Sequence, residues 1–145
     1  MAAVTSVVRA HQILLGRINE VLRPLALTFA RYEALVLLTF AREGALPLGR
    51  MGARLQVHPA SITNAIDRLE AAGHVVRVPH PTDGRTTLAR ITPAGREVVE
   101  RATAALTAAR FGADGLDDVA ARRLTATLEP LRRAAGDGGG GPDAR

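Results

Sequence analysis

Apolar residues recur at steps of three and four from the start of the chain: Val4, Val7, Val8, Leu14, Leu15, Ile18, Val21 and Leu22, with His11 on the same stripe. That spacing predicts an amphipathic helix over residues 4–22, stopped by Pro24, whose ring cannot extend the helical hydrogen-bond ladder. The stripe offers more apolar surface than one small domain easily covers, so a partner chain is expected against it. Thr28 is placed to cap a second helix reaching about residue 42. Within it Leu35, Val36, Leu37 and Leu38 leave almost no polar face, which puts this helix at the centre of the core. Gly44 is expected to end it.

After Pro47 a short helix over residues 48–55 brings Leu48, Met51 and Leu55 to one side. A turn through Gln56, Val57 and His58 leads to Pro59, which loses nothing at the first position of a helix because its missing N–H would be unpaired there. The helix that follows, 59–72, turns Ile62, Ile66 and Leu69 inward and stops at Gly73. Two short helices joined by a tight turn are a helix-turn-helix pattern. The period then becomes alternating, with Val76 and Val78 set against Val75 and Arg77. Pro79, Pro81, Asp83 and Gly84 break that strand, and Leu88 and Ile91 mark its return. The expected result is a hairpin directly behind the second helix, the order of a winged helix-turn-helix.

Thr92-Pro93 opens another helix with Val98, Val99, Ala102, Ala105, Leu106 and Ala109 on its apolar face. After Gly112 and Gly115, Asp117 is placed to cap a last helix that turns Val119, Leu124, Leu128 and Leu131 inward and is bent by Pro130. The expected fold is mainly α with a small β-hairpin wing, flanked by N- and C-terminal dimerisation helices. It forms a single domain over 1–135, with the winged core at about 28–92, dimerisation helices at about 4–22 and 93–135, and a disordered glycine-rich tail at 136–145.

Composition sharpens this picture at three points. The 145 residues suffice for one core and not for two. The net charge is +5 with 19 basic residues, every one an arginine. Arginine suits phosphate and guanine, which its planar fork grips bidentately, although a GC-rich coding sequence would give the same bias. There is no cysteine, which removes disulfides, thiolate metal sites and thiol redox chemistry. No apolar run is long enough to span a membrane and no basic-then-apolar leader is present, so a cytoplasmic protein is expected.

On the outer side of the 59–72 helix stand Ala60, Asn64, Asp67, Arg68 and Ala71, flanked by Ser61 and Thr63. The alanines allow close approach to a groove floor, Asn64 suits adenine, Arg68 suits guanine or phosphate, and the hydroxyls suit phosphate oxygens. Any solvated helix face has a similar make-up; the order of helix, turn, helix and hairpin is what points to nucleic acid. In the hairpin loop, Asp83 is placed to brace the Arg85 guanidinium and aim it outward, as a minor-groove contact requires, though an ordinary turn with a surface ion pair fits the same residues. Arg77, His80 and Arg90 add local positive charge.

The run Asp83-Gly84-Arg85-Thr86-Thr87-Leu88-Ala89-Arg90-Ile91-Thr92-Pro93-Ala94-Gly95 resembles the wing signature of the multiple-antibiotic-resistance regulator (MarR) family, an Asp-x-Arg, a strand and a Thr-Pro-x-Gly. The run Val57-His58-Pro59-Ala60-Ser61-Ile62-Thr63-Asn64, continuing to Arg68-Leu69-Glu70, is similar to that family's recognition helix. The resemblance extends over about residues 4–135. It implies a homodimeric regulator reading a pseudo-palindromic operator in double-stranded DNA, with half-sites about one helical turn apart; a repressor is expected, and an activator fits the same residues. DNA-binding residues would be Ser61, Thr63, Asn64 and Arg68, with Arg85 in the minor groove and Asp83 holding it; Arg77 is counted with them for the charge it adds. Asn64 departs from the basic residue that many relatives carry nearby, so the operator cannot be copied from a relative.

The resemblance also implies a small aromatic or anionic effector in a crevice beside the dimerisation helices, where Arg9, His11, Arg31 and Tyr32 are the candidate contacts; each also fits an ordinary packing or surface role. His11, His58, His74 and His80 lack metal-ligand spacing, and no metal or cofactor is expected. No glycine-flanked nucleophile, phosphate-binding glycine loop or paired-histidine helix motif is present, so an enzyme is not expected. The competing reading is a winged helix that binds protein and no specific operator.

Overall fold

The computed structural model describes residues 1–137, in two compact units, Met1–Gly112 and a second from Ala113 onward. In the first unit α1 (Ala2–Leu22) runs into a 3-10 turn at Arg23–Leu25, closed by Ala26 in the left-handed region. Only the C-terminal half of α1 reaches the core, through Ile18 and Leu22. Val4, Val7, Val8 and Ile13 remain exposed.

Next comes α2 (Phe29–Thr39), whose first turn is capped as expected, with Thr28 Oγ1 accepting from the Arg31 N–H. Asn19 Oδ1 accepts from the Phe29 N–H at 2.8 Å and ties the start of α2 to α1. The helix stops at Thr39, three residues short of the expected end. Ala41 is already extended, and the following turn Arg42–Gly44 places both Glu43 and Gly44 at positive φ. Gly44 therefore turns the chain into a strand instead of stopping the helix.

That strand, β1 (Ala45–Pro47), is followed by α3 (Leu48–Leu55), α4 (Pro59–Ala71), β2 (Val75–Pro79), β3 (Thr87–Ile91) and α5 (Pro93–Ala108). The sheet is antiparallel in the order β1-β3-β2, so the expected hairpin carries a third strand on the β3 side. Ala45 pairs with Arg90 and Pro47 with Leu88, while Val75 pairs with Ile91 and Pro79 with Thr87. Leu22, Leu35, Leu38, Met51, Ile66, Leu69, Val75 and Leu106 are fully buried. Leu35 and Leu38 of α2 stand among them, and Val36 and Leu37 are only partly covered.

One junction holds α4, the sheet and α5 together. The Thr92 N–H donates to the His74 carbonyl at 3.0 Å, and its hydroxyl donates to the Gly73 carbonyl at 2.7 Å. The same hydroxyl oxygen accepts from the Gly95 N–H at 3.0 Å, capping α5. This draws the first turn of α5 so close to the turn after α4 that a Cβ on Gly95 would lie 2.2 Å from the His74 carbonyl oxygen. The motif Thr-Pro-x-Gly thus has a steric reason: a cap at its first residue and no room for a side chain at its last.

In the second unit α6 (Asp118–Ala134) is capped by Asp117, whose Oδ1 accepts from the Ala120 N–H at 2.7 Å, and it continues through Pro130. None of its residues is buried. Val119, Leu124 and Leu131, expected to point inward, are 48%, 40% and 68% exposed. Periodicity identifies an apolar face without saying which chain covers it. Of the expected tail, Gly136 and Asp137 close the helix, Asp137 Oδ2 pairing with Arg132 Nε at 2.5 Å; the rest lies outside the described residues. Among the described residues no helix is long and apolar enough to cross a membrane.

Candidate nucleic-acid interface

The turn between α3 and α4 is made by Gln56 in the left-handed region, and by the Val57 N–H donating to the Gly52 carbonyl. His58 caps α4, its Nδ1 accepting from the Ala60 N–H at 3.1 Å, and Pro59 takes the first helical position. Ile62, Ala65, Ile66 and Leu69 are buried, so α4 is fixed against α2 and α3. The opposite side presents Ala60, Ser61, Thr63, Asn64, Asp67, Arg68 and Ala71 to solvent. The Thr63 hydroxyl donates to the Pro59 carbonyl at 3.0 Å, leaving its lone pairs as acceptors. Ser61, Thr63, Asn64 and Arg68 are thus together on one exposed face, as the helical spacing predicts.

The loop between β2 and β3 closes on itself. The His80 N–H donates to the Thr86 carbonyl, and His80 Nδ1 accepts from the N–H groups of Thr82 and Asp83. Asp83 accepts from the Arg85 main-chain N–H at 3.0 Å and from the Thr86 hydroxyl at 2.6 Å. The expected brace from Asp83 to the Arg85 guanidinium is replaced by a brace to the Arg85 backbone. At a separation of two residues the carboxylate reaches a fixed amide more readily than it can hold a long, exposed side chain in one rotamer. Arg85 still stands at the exposed tip of the wing.

The Thr86 hydroxyl and then the Arg85 N–H hold the Asp83 carboxyl below the ordinary aspartate range. A folded-state value below the unfolded one stabilises the loop fully above about pH 4, and that contribution is lost as pH falls through the depressed value. Protection of the Arg85 and Thr86 amides, taken relative to the intrinsic exchange rate at each pH, should therefore hold from neutral pH to the ordinary aspartate range and fall only below it. Protection lost already well above the aspartate range would show that the Asp83 carboxylate is not what orders the loop.

Arg77 is not available as the free cation that its sequence position suggests. Its Nη2 pairs with Asp67 Oδ1 at 2.5 Å, its Nη1 pairs with Glu70 Oε2, and its main-chain N–H donates to Glu70 Oε1 at 3.1 Å. The Asp67 hydrogen bond is the largest influence raising its pKa. One guanidinium between two carboxylates adds no positive potential to the wing, and of the three basic groups expected there Arg90 keeps an exposed position on β3.

The four candidate effector contacts are not brought together by the contacts of the fold. Arg9 and His11 are exposed on α1. Arg31 braces the turn before α2, its Nε donating to Thr28 Oγ1 and its Nη1 to the Ala26 carbonyl. Tyr32 is a core residue: its ring stacks on Phe29 and its hydroxyl lies 2.9 Å from Thr103 Oγ1. For Arg31 and Tyr32 these contacts are the packing role that the sequence also allowed. Among the described residues no group of three or more His, Asp or Glu is placed to hold a metal ion.

Sequence reasoning missed Arg50 and Arg54, both exposed on α3. Their four-residue spacing puts them on one side of the helix preceding α4, the helix that crosses the phosphate backbone when a helix-turn-helix docks. That spacing was the available signal.

Comparison with known proteins agrees with this arrangement. Residues 27–86 match the MarR family profile. The crystal structure of a MarR family transcriptional regulator from Streptomyces coelicolor superposes with a TM-score of 0.90 at 54% identity, covering 95% of this chain and 96% of that one. The structure of CouR from Rhodococcus jostii bound to p-coumaroyl-CoA superposes with a TM-score of 0.72 at 30% identity, covering 85% and 86%. An uncharacterised HTH-type transcriptional regulator of Mycobacterium bovis is 42% identical over 66 residues, and the match spans 46% of either chain.

Proposed function

The chain belongs to the MarR family of transcriptional regulators, and from that premise we propose that it acts in the cytoplasm as a homodimer on a pseudo-palindromic operator in double-stranded DNA. The observation that carries this reading is the pairing of two surfaces: the exposed small and polar face of α4, and a wing whose tip presents Arg85. In the proposed complex Asn64 and Arg68 read base edges in the major groove, and Ser61 and Thr63 hold phosphates. Arg85 enters the minor groove, where a narrow groove concentrates negative potential, with Asp83 shaping the loop that presents it. Repression with release by a small aromatic or anionic effector completes the proposal; the CoA thioester held by CouR, both aromatic and anionic, supports that class.

The test is a fluorescence-anisotropy titration against DNA from the protein's own upstream region, at two salt concentrations and with scrambled competitor. Tight, salt-dependent binding that resists competitor is expected. Arg68→Ala should cost about 1–3 kcal/mol and relax preference at one base pair, and Arg85→Ala should weaken binding by a similar amount. Affinity equal to that for scrambled DNA would favour the protein-binding reading.

A further inference from the structure

Arg77 joins the two surfaces just described. It lies on β2, the strand leading into the wing, and its fork reaches back to Asp67 and Glu70 on successive turns of α4. The link has three bonds, two from the guanidinium and one from the main-chain N–H of Arg77 to Glu70 Oε1. β2 is an edge strand of the β1-β3-β2 sheet, so that N–H bond also occupies a donor on the strand's open side. The Arg77 side chain is only 27% exposed, and a planar guanidinium that bonds two carboxylates at once fixes orientation as well as distance.

We infer that Arg77 is a positioning residue for DNA binding: with Asp67 and Glu70 it forms a strut that sets the wing at a fixed place relative to the recognition helix, so that Arg85 and Arg68 engage one duplex together. The inference rests on the DNA-binding reading above. The charge balance agrees with it, because one arginine shared by two carboxylates leaves a net negative cluster, a poor phosphate ligand. Arg77 also offsets part of the negative charge that Asp67 places on the exposed face of α4. A rigid strut makes the second groove contact effectively intramolecular once the first has formed.

A double-mutant cycle on the full chain tests this. Arg77→Ala should lower operator affinity at least about tenfold, and in that background Arg85→Ala should have little further effect, because a loosened wing no longer delivers Arg85. Arg77→Lys guards against misfolding: it keeps the charge but cannot span both carboxylates, so it should lose most of the same affinity while melting near wild type. Additive losses for Arg77→Ala and Arg85→Ala, or full affinity with Arg77→Lys, would overturn the strut and leave Arg77 a simple cation. Hydrogen exchange on the DNA-free protein separates this from the parent reading, since the amides of residues 75–78 should exchange faster in Arg77→Ala whether or not an operator is found. Unchanged exchange would overturn the strut even for a protein that binds DNA, and scrambled-level binding by wild type alongside faster exchange would overturn the regulator reading alone.

Discussion

Gly95→Ala should lower stability by about 3 kcal/mol, at the upper end of the range for overpacking, and the melting temperature by roughly 10 °C. The added methyl would meet the His74 carbonyl oxygen at 2.2 Å and Ile91 Cγ1 at 2.8 Å. The first obstacle is backbone, so no change of rotamer relieves it. Moving α5 away would break the Thr92 N–H bond to His74 and the Thr92 hydroxyl bond to Gly73, the two bonds that close the base of the wing. Gly49→Ala is the matched control: a Cβ there meets nothing within 4 Å, its position is helical, and the variant should melt at or slightly above wild type. Equal melting of Gly95→Ala and wild type would show that the close approach is not maintained in solution.

The same junction shows what a sequence reveals and what it hides. The caps at Thr28, Thr92 and Asp117 were legible because each is a bond between residues three apart, governed by local rules. β1 was not legible: three residues ending in proline show no alternation, and the strand exists only because residues 88–90 pair with it. Arg77 read as a free cation because its partners lie seven and ten residues back across a turn, beyond any local pattern. The partner of the Tyr32 hydroxyl was hidden for the same reason, since it belongs to Thr103. The exposed face of α4 was legible in composition and orientation, because a helix with Ile62, Ile66 and Leu69 inward has only one other side to show. Asp83 was found in the right loop but given the wrong bond, because spacing cannot distinguish a guanidinium from the amide of the same residue.

The largest effect on DNA binding should come from residues far from the DNA. α1 exposes Val4, Val7, Val8 and Ile13, and α6 exposes Val119, Leu124 and Leu131, so most of the exposed large apolar side chains of the described residues lie on these two helices. Apolar faces of that extent on a small chain are expected to be covered, and a second copy related by a twofold axis covers them with the fewest distinct surfaces. Val8→Glu and Leu131→Glu, tested separately, place a charge in each face without entering the core, because Val8 is 50% exposed and Leu131 68%. Sedimentation should show each variant shifting from dimer toward monomer, with the helical circular dichroism of the folded monomer retained at concentrations where it is stable. Operator affinity should fall about 10²–10⁴-fold, because each half-site is then bound without the effective concentration supplied by its twin. A single half-site should be bound as well as by wild type, which sets this loss apart from that of Arg68→Ala, where half-site affinity itself falls. A variant that stays dimeric with full operator affinity would remove its helix from the interface and leave that apolar face to another partner.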